Sequence, residues 1–190
     1  RSSSEAVDFA LLKDGKLIEL HKEQETSNFQ VGDIFIAKIR KPVAGLNAAF
    51  VNVGFEKDAF LHYHDLGPNL ASQLKFIKLV SAGKIKDFSL KNFQFEKEID
   101  KDGSITEIIN PNQSILVQVV KEPISTKGPR ISAELSLAGR FIVLVPFSDR
   151  VSISQKIEDK KEKERLKRLV QAVKPKGFGV IVRTVAEGKS

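Results

Sequence analysis

A chain of 190 residues with 41% hydrophobic content is long enough for one domain or two small ones and apolar enough to bury a core, which excludes wholesale disorder. Its 31 Lys and Arg against 24 Asp and Glu leave a formal charge of +7, compatible with a polyanionic partner without proving one. The absence of cysteine excludes disulfides and thiolate metal sites and suits a reducing cytoplasm, and no apolar run of about 18 residues or signal peptide marks a membrane span.

Methionine is absent too, and the chain opens on Arg1-Ser2-Ser3-Ser4 and ends just after a strand-like segment, so a piece of a longer protein is expected. Residues 6–20, AVDFALLKDGKLIEL, read as a hairpin turning at Asp14-Gly15. Residues 31–66 hold three strand patterns punctuated by Pro42 and Gly45, with a turn at Gly54–Lys57. Within them Ala49, Val51 and Val53 share one parity, and Ala59 and Leu61 make a matching apolar set. Phe50 and Phe60 fall on the opposite, wet parity, beside Asn52, Asp58 and His62. Such aromatics are either covered by another part of the protein or form a platform for nucleobases. His62 and His64 have a spacing that could bring two metal ligands together, but no third ligand is evident, so no metal site is read there.

Residues 67–112 are mixed and Lys-rich, read as a long insertion with a short helix near 72–80 and lysines on a solvated surface. QSILVQVVKEP is a strand, ISTKGPRISAELSLAG a loop with Lys127 and Arg130 followed by a strand, and RFIVLVPFSDRVSIS strand again. Residues 155–173 read as a helix with Leu166, Leu169, Val170 and Val173 as its apolar stripe and a solvated charged face. GFGVIVRTVAEGKS closes with a strand running into a loop. The fold class is therefore mainly β with α+β parts. About five short strands with an excursion between the third and fourth fit a small closed barrel at about 30–135, an OB-fold, one face of which binds single-stranded nucleic acid. On that fold the platform reading of Phe50 and Phe60 is the better supported one, each stacked base contributing roughly 1–3 kcal/mol.

Three segments, VGDIFIAKIRKPVAGLNAAFVNVGFEKDAFLH, KEPISTKGPRISAELSLAGRFIVLVP and GFGVIVRTVAEGKS, resemble the amino-terminal half of the ribonuclease E/G family. The resemblance covers nearly the whole chain and is weakest across 67–112. It implies an S1-type OB-fold inserted in an RNase H-like subdomain, then a 5′ sensor, then a DNase I-like catalytic subdomain. Residues 1–28 would be the first piece of the RNase H-like part, 29–133 the S1 domain and 134–190 an incomplete 5′ sensor. It implies that Phe50, Phe60 and Lys127 grip single-stranded RNA and that Arg183 and Thr184, with Val143 nearby, cradle a 5′-monophosphate. Guanidinium and hydroxyl donors suit phosphate oxygens, whereas a triphosphate would be too bulky and a 5′-hydroxyl would leave the donors unpaired. Where some members place an arginine, this chain has Gln155 beside Lys156, so the resemblance does not carry an auxiliary phosphate contact to that position.

The resemblance further implies a magnesium-dependent endoribonuclease of RNA processing and decay, able to form homo-oligomers, whose two metal-binding aspartates lie outside these residues. This chain would then carry no catalytic residue or cofactor of its own. Two other readings remain: a stand-alone, non-catalytic S1-type module of translation or ribosome assembly, and a scaffold whose basic face binds acidic proteins. The scaffold requires Phe50 and Phe60 to be buried.

Overall fold

A computed structural model describes residues 6–24, 29–86, 89–123 and 127–189. The chain divides into two compact units, residues 1–30 and 31–190. The first is an antiparallel hairpin of β1 (Ala6–Lys13) and β2 (Lys16–Gln24). Its two-residue turn has positive φ at both Asp14 and Gly15, the conformation that an Asp-Gly hairpin turn favours.

The second unit is built around a closed five-stranded barrel in the order β3-β4-β5-β7-β6, with β3 again pairing β6. These strands are β3 (Ile34–Val43), β4 (Ala48–Asn52), β5 (Ala59–His62), β6 (Ser114–Lys121) and β7 (Arg130–Ser132). The protein is mainly β, and this barrel has the OB arrangement expected from the sequence. The alternation read in the sequence is the alternation observed: Ala49, Val51, Ala59 and Leu61 are fully buried with Ile39, Ile115, Val117 and Ile131.

The described part of residues 67–112 packs against β3 and β6 of the barrel. Helix α1 runs from Leu70 to Ser81, slightly longer than the expected 72–80, because Leu70 is itself a buried packing residue. Its buried Gln73 is a polar plug. Nε2 donates to the Ala133 carbonyl at 3.0 Å and Oε1 accepts from Leu116 N–H at 3.2 Å, so neither edge is left unpaired. The short helix α2 (Ile105–Ile108) is held by Asn47, whose side chain accepts from Ile105 N–H at 2.8 Å and donates to the Gly103 carbonyl at 3.0 Å. The described lysines of this stretch lie mostly at its surface, as expected, but Phe76, Phe93 and Phe95 do not. Phe76, Phe93 and Phe95 pack with Leu90, Leu116, Leu135, Phe147 and Phe178 into a second core that joins the barrel to the elements beyond it.

Those elements form a four-stranded sheet, order β10-β11-β9-β8. Its strands are β8 (Leu137–Ala138), β9 (Ile142–Pro146), β10 (Val151–Ile153) and β11 (Phe178–Val182). Helix α3 (Lys160–Val173) makes the crossover between the parallel strands β10 and β11. It starts later than the expected Gln155. Asp159 caps it by accepting from Lys161 N–H at 3.0 Å, and Ile157 leaves the helical path to become fully buried. Of the expected apolar stripe, Leu166 and Val170 pack on the sheet, while Leu169 and Val173 face outward, Val173 being 80% exposed.

Candidate nucleic-acid interface

Phe50 and Phe60 are directly opposed on β4 and β5, with ring centroids 6.1 Å apart in an edge-to-face arrangement. Phe50 is 38% exposed and Phe60 half-buried. The two rings floor a cleft of about 630 Å³ that is also lined by Lys57, Lys121, Lys127 and Arg130. The structure thus brings together all three residues for which the sequence suggested one role. Lys127 arrives on the loop between β6 and β7. Gly128 in that loop lies so close to the chain opposite that a Cβ there would run into the carbonyl oxygens of Lys57 and Asp58. Pro129 O accepts from Phe60 N–H at 3.2 Å, which continues the loop into the sheet edge.

Three carboxylates temper the charge of the cleft: Asp58 and Glu122 in its lining, and Asp65 through Arg130. Asp58 faces Arg40 at 3.5 Å, and Asp65 holds Arg130 through bonds to both carboxylate oxygens, the shortest at 2.9 Å. Arg130 is therefore pre-oriented beside Phe60, its direct cross-strand partner. Lysines 57, 121 and 127 are exposed point charges around the aromatic floor. This combination suits a polyanion with flat rings, read without regard to sequence. The sequence reading missed Lys57, Lys121 and Arg130. The Lys-Glu-Pro and Pro-Arg flanks of the loop were the available signal, but which strand residues meet across the barrel depends on register.

The second set lies where β11 ends. Val143 on β9 opposes Ile181 on β11, and Arg183 follows directly after the end of β11. Arg183 N–H donates to the Phe141 carbonyl at 2.8 Å, and its guanidinium donates to the Gly139 carbonyl at 2.8 Å. It is exposed, and among the described residues no carboxylate pairs with it. Thr184 Oγ1 lies 2.9 Å from Ser154 Oγ, so a neighbouring hydroxyl fixes its direction. Gln155 and Lys156 sit exposed in the turn just before the buried Ile157.

His62 and His64 are engaged with each other. β5 ends at His62, and His62 Nδ1 accepts from His64 N–H at 3.2 Å while the rings stack 5.1 Å apart. Among the described residues no group of three or more His, Asp or Glu could hold a metal ion.

Residues 136–190 match the Ribonuclease E/G family. Among curated proteins, the chain is 38% identical over 165 residues to a protein named ribonuclease E from Nostoc sp., covering 86% of this chain and 20% of that one. It is 34% identical over 179 residues to a ribonuclease G from Salmonella typhimurium, covering 94% of this chain and 33% of that one. It is 35% identical over 181 residues to a ribonuclease G from Haemophilus influenzae, covering 95% of this chain and 33% of that one. The chain thus spans between a fifth and a third of the length of these relatives.

Proposed function

The chain belongs to the ribonuclease E/G family, and from that premise we propose that it holds single-stranded RNA and reads its 5′ end for an endoribonuclease of RNA processing and decay. The cleft on the barrel takes the strand: bases stack on Phe50 and Phe60, and Lys127 neutralises a phosphate. Arg183 and Thr184, with Val143 beside them, receive a 5′-monophosphate. The guanidinium has donors not engaged by the Gly139 carbonyl, and a monophosphate supplies the acceptors that a 5′-hydroxyl lacks. The observation that carries the reading is the opposed Phe50–Phe60 pair, partly exposed on a hairpin whose other face, with Ala49, Val51, Ala59 and Leu61, is fully buried, and facing a lysine-lined cleft.

Hydrolysis belongs, on this reading, to residues of the whole protein beyond these 190. A magnesium ion there would supply the Lewis acid and the activated water. No step is assigned to the carboxylates of this chain.

The test is a fluorescence-anisotropy titration of one short single-stranded RNA bearing either a 5′-monophosphate or a 5′-hydroxyl. The wild type should prefer the monophosphate. Phe60→Ala should weaken both RNAs about tenfold, the loss of one stacked base. Arg183→Ala should abolish the preference and leave the hydroxyl RNA almost unaffected. Equal binding of the two RNAs by the wild type would remove the end-sensing half of the proposal. Undiminished binding by Phe60→Ala would remove the platform.

A further inference from the structure

The pairing register of the barrel contains two irregularities, and both lie beside the aromatic pair. On β3, Ile39 opposes Val51 but Lys41, not Arg40, opposes Phe50. Arg40 is the extra residue of a β-bulge, and its side chain turns to Asp58. On β6, Val119 opposes Ile131 but Lys121, not Val120, opposes Arg130. A bulge changes which side chain faces a given partner, and bulges concentrate where a side chain must be re-aimed. Here each one replaces the residue that regular pairing would have set there with a lysine.

The result is a continuous row across all five strands: Lys41, Phe50, Phe60, Arg130, Lys121. Directly opposed residues have Cβ atoms about 5 Å apart, so the two rings are flanked by cations on both sides. Lys121 and Arg130 lie within the cleft. Lys41 lies outside it, exposed, with no carboxylate partner among the described residues. We propose that Lys41 is a phosphate contact that extends the RNA track past Phe50 and over β3, so that the strand crosses the barrel along this row. This rests on the reading of the cleft as a single-strand RNA site. A lysine suits the position because a flexible point charge follows a backbone phosphate whatever the base.

The experiment measures affinity against salt for a labelled oligouridylate of about ten nucleotides, long enough to overrun one OB-fold site. Wild type, Lys41→Gln, Lys41→Arg, Phe60→Ala and the distant Lys97→Gln are compared. Loss of one phosphate contact lowers the slope of log affinity against log salt by about 0.7 for a single strand. Lys41→Gln should show that drop and bind about fivefold more weakly at low salt, Lys41→Arg should restore the slope, and Lys97→Gln should match the wild type. If Phe60→Ala weakens binding while Lys41→Gln behaves as Lys97→Gln does, the track over β3 is wrong and the cleft reading stands. If Phe60→Ala binds as the wild type does, the cleft reading falls and this proposal falls with it.

Discussion

Single residues decide the shape of the cleft more than its charge does. Gly128 shows this best, because its missing side chain lets the Lys127 loop lie against the carbonyls of Lys57 and Asp58. Gly128→Ala must push two stretches of backbone apart, moving Lys127 away from the rings while leaving every charged and aromatic group present. The expected outcome is an RNA affinity reduced about tenfold, the scale of one lost contact, with an unchanged thermal midpoint for the barrel core. Anisotropy alongside circular dichroism checks it. The parity of Phe50 and Phe60 was legible in the sequence because a strand of period 2 leaves each residue only two faces, and the small apolar neighbours claim one of them. Lys41, Lys121 and Arg130 were not legible as a set. Their meeting depends on two bulges, and a bulge leaves no compositional trace in GLY-free stretches such as residues 34–43 and 114–121.

At the scale of elements, α3 was legible as a helix and its limits were not. The charge-rich run from 155 satisfies helical spacing everywhere, but Ile157 is worth more in the core than in a first helical turn, and Asp159 supplies the cap two residues later. The helix also ties down the residues past β11. Arg165, bonded to Glu162 through two contacts of 2.7 Å, and the Gly188 N–H at 2.8 Å hold the Glu162 carboxyl down to about 2 from its ordinary 4.5. A depressed carboxyl stabilises the folded form when ionised, so this tie is complete above about pH 4.5 and is lost as pH falls through 2. The amide resonance of Gly188 should therefore titrate with a midpoint near 2, and Glu162→Gln should abolish that transition. A midpoint in the ordinary glutamate range would show that the tie does not form in solution.

On the scale of the molecule, the feature hidden from the sequence was the joint between the barrel and the second sheet. Residues 67–112 read as a polar excursion because the stretch is rich in lysine, yet Phe76, Phe93 and Phe95 between them pack inward. Phe147 is at the centre, 5.5 Å from Phe76 and 6.3 Å from Phe93, both edge-to-face. It adopts φ +60°, a conformation costly for a bulky side chain, which the surrounding packing must offset. Phe147→Ala should cost about 3–5 kcal/mol, seen as a lower urea midpoint; a loss below about 1 kcal/mol would mean the aromatic cluster closes over the gap or was never tight. The same joint has a second consequence. β11 contributes Phe178 to it at one end and leads into Arg183 at the other, so the cleft and the candidate phosphate residues stand at a fixed span rather than on a slack tether. For one strand occupying both, the second contact is made at an effective concentration set by that span, and avidity gains of 10²–10⁴ over either site are the expected order of magnitude, roughly. On the proposed reading an RNA too short to bridge the span gains nothing, and the aromatic joint would act as a ruler that sorts RNAs by the distance from their 5′ end to their first unpaired bases.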